Sequence, residues 1–107
     1  MPSEKYTVAG PKNHYILLSI EPPTNDALSV RKAIADSLAE SFGETSSAIP
    51  VDVMSIAENG EEMVVRAHIE DAPKILASVI TSSKPRLSVL QDSPFLPALT
   101  RSWQRTW

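Results

Sequence analysis

An Asn-Gly turn between two strand-like runs is the feature that most constrains how this chain of 107 residues can fold. The runs are residues 51–57 (VDVMSIA) and residues 62–69 (EMVVRAHI), and Glu58-Asn59-Gly60-Glu61 lies between them. Asn-Gly is a strong hairpin signal because both residues tolerate positive φ. The sequence therefore predicts an antiparallel pair of strands, and every other element has to fit around that pair.

A helix pattern precedes the hairpin. Apolar residues recur every four positions and fall on one helical face: Val30, Ile34, Leu38 and Phe42. Asn25 or Asp26 can cap the start of this helix, with Ser29 as a further alternative, because each offers a side-chain oxygen to unpaired amides. Gly43 is a natural end, since glycine accepts positive φ without a Cβ clash.

A second helix pattern follows the hairpin. Asp71 is predicted to cap it, and Pro73 falls in the first turn, where a missing amide proton is harmless. The predicted apolar face consists of Ile75, Leu76, Val79 and Ile80. The segment at residues 82–85 (SSKP) ends the helix.

Two further strand-like runs complete the order of elements. Residues 14–21 (HYILLSIE) end at a Pro-Pro pair, and residues 86–92 (RLSVLQD) follow the second helix. The order is strand, helix, strand, strand, helix, strand, which predicts an α+β, two-layer sandwich of ferredoxin-like βαββαβ topology with both helices on one face of an antiparallel sheet. The predicted organisation is a flexible arm at residues 1–12, a sandwich domain at 13–100 and a tail at 101–107.

Both faces of the predicted sheet carry apolar residues. The face toward the helices is assigned to Ile16, Leu18 and Ile20 of the first strand and to Met63, Val65, Ala67 and Ile69 of the third. The opposite face carries Tyr15, Leu17 and Val64 beside Arg66 and His68. A sheet face left to water alternates polar residues more cleanly, so we expect something to cover this one. Either residues 94–107 of the same chain or another protein can provide that cover.

The residues needed for catalysis or metal binding do not form a recognisable pattern. The absence of cysteine excludes disulfides, thiolate zinc sites and a cysteine nucleophile. The two histidines, His14 and His68, have no metal-binding spacing, and three glycines cannot build a phosphate-binding loop. The carboxylate pairs Glu61-Glu62 and Glu70-Asp71 are typical of solvated turns, and no GxSxG motif is present. We therefore expect no catalytic, cofactor or metal site in this chain.

Charge is unevenly distributed around a formal net value of −3. Residues 21–71 contain eleven acids and three bases, net −8, whereas residues 72–107 contain five bases and one acid, net +4. This balance is poor for independent nucleic-acid binding but is compatible with grazing contact to RNA. The residues expected nearest an RNA backbone are Lys84, Arg86, Arg101 and Arg105. Trp103 and Trp107 in the tail favour docking on protein over stacking on RNA.

Membrane association and secretion are not expected. The longest uninterrupted apolar run is residues 15–18 (YILL), far short of the ~20 residues that cross a bilayer. Residues 1–5 show no secretory signal, so the expected compartment is intracellular.

An ordered set of short segments resembles a known family. These are residues 42–44 (FGE), 48–53 (AIPVDV), 93–96 (SPFL) and 98–99 (AL). In order and spacing they are similar to the small protein subunits of nuclear ribonuclease P and ribonuclease MRP, in particular the fourteen-kilodalton subunit and its fungal counterpart, the eighth Pop protein. The resemblance covers residues 42–100 well and residues 13–41 by pattern only.

The resemblance implies a non-catalytic subunit of an RNA enzyme whose RNA removes the 5′ leader of precursor tRNA and takes part in rRNA processing. It implies a paralogous Pop-type partner of similar fold, a neighbouring barrel-fold subunit, mostly indirect contact with the ribonuclease RNA, and residence in the nucleus and nucleolus. It implies no membrane contact and no cofactor.

Apolar residues on the open sheet face and after the last strand are the candidates for a partner interface, because aromatic and aliphatic anchors dominate interface energies. They are Tyr15, Leu17, Phe95, Leu96 and Leu99. Two other functions stay open on the residues alone. One is a stand-alone single-stranded RNA-binding module of RRM-like topology, which the absence of aromatics in residues 62–69 disfavours. The other is a ligand-sensing domain, which needs a polar pocket that the sequence does not reveal.

Overall fold

Four strands and two helices make up residues 12–94, the part of the chain that the computed structural model describes. The elements in chain order are β1 (Asn13–Glu21), α1 (Ala27–Phe42), a first 3-10 helix (Glu44–Ala48), β2 (Asp52–Ile56), β3 (Glu62–His68), α2 (Ala72–Ser78), a second 3-10 helix (Val79–Thr81) and β4 (Arg86–Ser93). Among these residues no helix is long and apolar enough to span a bilayer.

The sheet has the order β2-β3-β1-β4, and each neighbouring pair is antiparallel. The two strands of the hairpin lie side by side, and β1 separates them from β4. Residues of α1 and α2 belong to one core cluster with the same face of β1 and β3, so both helices cover one side of the sheet. The predicted α+β, ferredoxin-like arrangement is confirmed.

Strand register assigns alternate residues to the two faces. Leu17 pairs with Val64 and Tyr15 with Arg66, whereas Ile16 pairs with Val65 on the other face. Because side chains alternate along a strand, this register places the predicted sets on opposite sides of the sheet.

The main core lies between the sheet and the helices. Its fully buried side chains include Ile16, Leu18, Val30, Ile34, Leu38, Met63, Val65, Ile75 and Val79. The periodicity of α1 and the alternation of β1 therefore predicted most of this core correctly.

Three residues predicted to face the core are exposed instead. Phe42 is the last residue of α1 and is 43% exposed, and Ile69 lies just beyond the end of β3 and is 39% exposed. Ile80 is 79% exposed because α2 ends at Ser78 and continues as a 3-10 helix. The 3-10 helix has 3.0 residues per turn rather than 3.6, so a face extrapolated from α-helical spacing is rotated away from the core.

The hairpin forms where predicted but with a different turn. The amide of Ala57 donates to the carbonyl of Glu62, and the amide of Gly60 donates to the carbonyl of Ala57, each at 2.9 Å. Four residues thus form the loop, and only Gly60 has positive φ, at +73°. Asn59 acts through its side chain instead, whose Oδ1 accepts the amide of Glu61 at 2.9 Å.

The helices begin and end where the sequence predicted, but one of the two predicted caps does not form. Asp26 caps α1, because its Oδ1 accepts the amide of Leu28 at 3.0 Å, and Gly43 ends α1 with φ at +99°. Pro73 falls in the first turn of α2. Asp71 precedes α2 as predicted, but its backbone is already helical and its side chain makes no capping hydrogen bond.

Candidate partner and RNA interface

A small apolar cluster of Tyr15, Leu17 and Val64 lies on the side of the sheet that no helix of residues 12–94 covers, here called the helix-free face. Leu17 on β1 and Val64 on β3 face each other across the two central strands and are 5% and 0% exposed. Tyr15 packs against this pair and is half-buried. The expected second apolar face is therefore present, with a shielded centre and Tyr15 as its accessible side. That Leu17 contacts a partner stays a prediction.

Arg66 borders the apolar cluster and is held by an ion pair. Its Nη2 donates to Oδ2 of Asp52 on the neighbouring edge strand at 2.9 Å. Hydrogen bonding to the Asp52 carboxylate, followed by interaction with Tyr15, raises the pKa of Arg66 above its ordinary value. The guanidinium thus has partners within the chain, Asp52 and Tyr15. An aliphatic centre beside a neutralised arginine favours protein contact over base stacking.

The two predicted RNA-facing residues that the structure describes lie around the start of β4. Arg86 is the exposed first residue of β4 and lies opposite Glu21 of β1 in the strand register. Lys84 precedes it and lines two clefts, one of about 410 Å³ with Thr24 and Ser29 and one of about 250 Å³ with Asp36. Lys84 and Arg86 thus place two exposed bases at one end of the sheet, here called the basic edge, with Glu21 and Asp36 nearby.

Several other predicted contacts lie outside the described residues. The remaining partner anchors are Phe95, Leu96 and Leu99, and the remaining basic and aromatic tail residues are Arg101, Arg105, Trp103 and Trp107. Their roles stay predictions.

Both histidines make contacts within the fold. Nε2 of His14 lies 2.7 Å from Oδ2 of Asp92, which joins the beginning of β1 to the end of β4. Nδ1 of His68 accepts the amide of Glu70 at 3.1 Å in the turn that follows β3. Among residues 12–94 no group of three His, Asp or Glu side chains is placed to hold a metal ion.

The sequence reasoning missed a groove along one flank of α1. After Gly43 the chain turns through the first 3-10 helix and returns beside α1 as residues 49–51. The space between them, about 460 Å³, is lined by Leu28, Arg31, Lys32, Ile34, Ala35, Leu38, Ser47, Ala48, Ile49, Pro50 and Val51. Residues 44–48 (ETSSA) carry no apolar period, so the only available signal was the stripe Leu28, Arg31 and Ala35 at helical spacing.

The arrangement is that of a small α+β interaction domain: an apolar patch on the open sheet face, a basic edge and a groove beside a helix. Comparisons with known proteins agree with this class. The family model of the ribonucleases P/MRP protein subunit Pop8 matches residues 12–81, which is well over half of the chain. The chain therefore belongs to the Pop8 family and is a protein subunit of ribonuclease P/MRP, a ribonucleoprotein that processes RNA.

A solved structure shares the fold. A chain in the cryo-EM structure of yeast ribonuclease MRP superposes with a TM-score of 0.64, and the match covers 92% of this chain and 89% of that one. Sequence identity is 17%, so this likeness supports the architecture. None of the curated proteins compared with the chain matches it.

Proposed function

We propose that this chain is a non-catalytic subunit that heterodimerises with a paralogous Pop-type subunit of similar fold. In this proposal a barrel-fold subunit lies next to the pair, and the ribonuclease RNA performs the cleavage. The assembly removes 5′ leaders from precursor tRNA and takes part in rRNA processing, in the nucleus and nucleolus. Membership of the Pop8 family supports the assignment to the particle.

The apolar cluster on the helix-free face carries the proposal of a heterodimer. The helices pack on one side of the sheet, and Tyr15, Leu17 and Val64 form a separate apolar cluster on the other side, in which Tyr15 is the half-buried, accessible member. Apolar residues on both sides of a sheet call for a layer on each side. Because Leu17 and Val64 are buried within the chain itself, a protein partner would contact the cluster at Tyr15. Phe95, Leu96 and Leu99 are proposed to add to the same interface.

Contact with RNA is proposed to be peripheral. Lys84 and Arg86 give one end of the sheet a positive edge, and Arg101 and Arg105 continue the basic character of the sequence. Acids dominate residues 21–71, so the body of the domain repels phosphate and leaves most RNA binding to neighbouring subunits.

Co-purification tests the proposal directly. The full chain, tagged and co-expressed with the paralogous Pop-type subunit, is expected to form a one-to-one complex by light scattering. When the tagged chain is purified from the cells that naturally contain it, the ribonuclease P or MRP RNA is expected to co-purify. Recovery of neither the paralogue nor the RNA would remove the proposal.

Substitutions at Tyr15 locate the interface. Tyr15→Ala is expected to weaken the heterodimer by roughly tenfold or more, as truncation of an aromatic anchor does, whereas Tyr15→Phe retains the ring and most of the affinity. Phe42→Ala is the matched control, because Phe42 is an exposed aromatic residue at the end of α1. Equal effects of Tyr15→Ala and Phe42→Ala on the heterodimer would argue against the helix-free face as the interface.

A further inference from the structure

We propose that the groove beside α1 is a second docking site, which receives an apolar side chain flanked by carboxylates from another protein of the ribonuclease particle. The proposal rests on the chain's place in that particle, but it concerns a different surface from the helix-free face. The groove lies between α1 and the returning segment at residues 44–51.

The shape of the groove suits an aliphatic or aromatic side chain. Its floor consists of Ile34, Leu38 and Val51, which the core holds in place and which are 0%, 0% and 6% exposed. Ala35 on the α1 side of the groove leaves space for a ligand because its side chain is a single methyl group. Leu28 stands at one end with 72% of its surface exposed, a large apolar area for a water-facing position. A cavity of about 460 Å³ is larger than one aliphatic side chain, so flanking atoms of the ligand also fit.

The charge of the groove selects an acidic ligand. Arg31 and Lys32 line it, and no acidic residue of the described chain does. Nζ of Lys32 forms an ion pair with Oδ2 of Asp36 at 3.1 Å. Arg31 therefore supplies most of the positive charge that is not neutralised within the chain. The opposite flank of α1 carries Asp36 and Glu40 beside a separate cleft, which Lys84 also lines. On α1 itself, the bases therefore lie on the groove flank and the acids on the other flank, within a segment whose net charge is −8. A ligand that carries carboxylates is complementary to the groove flank.

The same chemistry argues against two other occupants, residues 95–107 of this chain and RNA. Residues 95–107 contain two arginines and no acid, so this part of the chain lacks the carboxylates that the groove selects. RNA would bring phosphate to Arg31, but the floor is aliphatic and no aromatic side chain of residues 12–94 lines the groove to stack a base. A segment of another protein fits both the floor and the rim.

Site-specific photo-crosslinking in the assembled particle tests the proposal. A photoreactive amino acid is placed at Leu28 or at Ser47, which lie on opposite sides of the groove, and at the exposed Ile80 as a control position. Both groove positions are expected to crosslink one protein segment with an apolar residue next to aspartate or glutamate, and Ile80 is not. Crosslinks to RNA, to a second copy of this chain or to nothing would overturn the proposal, as would an equal crosslink from Ile80.

Charge reversal provides the second measurement. Arg31→Glu is expected to lower the crosslink yield from Ser47 by roughly tenfold, because it places like charges together at the rim. Lys12→Glu is the matched control, since Lys12 is an exposed base that does not line the groove. An unchanged crosslink yield from Ser47 with Arg31→Glu would overturn the proposal that the ligand is acidic. The particle is recovered through its RNA in every sample and its content of this subunit is measured, so loss of the crosslink is distinguishable from loss of the subunit itself.

Discussion

The backbone amide of Thr24 donates a hydrogen bond of 2.9 Å to the carbonyl oxygen of Gly60. The tip of the hairpin is thereby fixed to the connection between β1 and α1. The contact is close: a Cβ atom on Gly60 would lie 2.9 Å from the Thr24 nitrogen and 3.0 Å from Oδ1 of Asn25. Glycine is required at this position both by its positive φ and by the approach of another backbone.

Gly60→Ala is predicted to lower the free energy of unfolding by about 2–4 kcal/mol, since it combines left-handed strain with overpacking against backbone atoms. Gly60→Asn separates the two effects, because asparagine tolerates positive φ but still carries a Cβ. Urea denaturation of both variants is the measurement. We expect Asn to remain destabilising, and full recovery of stability with Asn would mean that the contact with Thr24 contributes nothing.

Substitution by alanine is predicted to cost very different amounts of stability at two isoleucines in helical segments. Ile34 is fully buried beneath α1, so Ile34→Ala should cost about 2–5 kcal/mol through lost contacts and a residual cavity. Ile80 is 79% exposed, so Ile80→Ala should change stability by no more than about 0.5 kcal/mol. The same substitution removes the same side-chain atoms in both places, so the difference reports on burial. Chemical denaturation that gave equal losses would contradict the assignment of the core.

Local patterns predicted the order of elements, the two sheet faces and most of the core. These properties depend on residues close together in the sequence, as with the four-residue spacing of Val30, Ile34 and Leu38 on α1. The exposure of Ile80 was not predictable in this way, because the change from α to 3-10 geometry after Ser78 alters the angular spacing without changing the apolar pattern.

The candidate site was less accessible to sequence reasoning than the fold. Tyr15 and Leu17 were placed on the correct face, since that follows from alternation along one strand. The pairing of Arg66 with Asp52 depends on the register of β2 against β3, which includes an irregularity between Val53 and Ser55 that no periodicity reveals. The groove beside α1 depends on a segment of 3-10 helix without any apolar period, so only the folded chain brings its two walls together.

The cap of α1 is predicted to make stability depend on pH. A hydrogen bond from the Ser29 hydroxyl, followed by those from the amides of Leu28 and Ser29, lowers the pKa of Asp26 below its ordinary value. A depressed folded-state pKa means that the stabilisation is fully present above the ordinary aspartate pKa of about 4 and is lost as the pH falls through the folded-state value.

Asp26→Asn keeps an acceptor for the Leu28 amide but removes the charge, so it should remove this part of the acid sensitivity. Thermal melts by circular dichroism between about pH 6 and pH 2.5 measure the effect. The wild-type chain is expected to have the higher Tm at the upper end, and the difference should shrink as the pH falls. A difference that stayed constant over the whole range would contradict a role for the carboxylate charge.

Substitutions at Leu17 and Tyr15 are predicted to affect different properties, the stability of the isolated subunit and its association with the paralogue. Leu17 is 5% exposed in the chain by itself, so Leu17→Ala should destabilise the isolated subunit by about 2 kcal/mol or more. Tyr15 is the accessible member of the cluster, so Tyr15→Ala should affect the heterodimer more than the fold. Denaturation of the isolated chain and titration with the paralogous subunit give the two readouts. A Leu17→Ala variant of unchanged stability would show that Leu17 belongs to the partner interface alone.

The basic edge at the start of β4 is predicted to contribute a small, salt-dependent part of RNA binding. Each phosphate contact that is lost lowers the magnitude of the slope of log affinity against log salt by roughly one, so the double substitution Lys84→Ala with Arg86→Ala should lower it by roughly two at most in the heterodimer. Arg31→Ala is the control, because Arg31 lines the groove on the other flank of α1, where we expect protein rather than RNA. The measurement is filter binding of the ribonuclease RNA by the heterodimer over a range of salt concentrations. A slope that depends on Arg31 and not on Lys84 or Arg86 would reverse the assignment of the two surfaces.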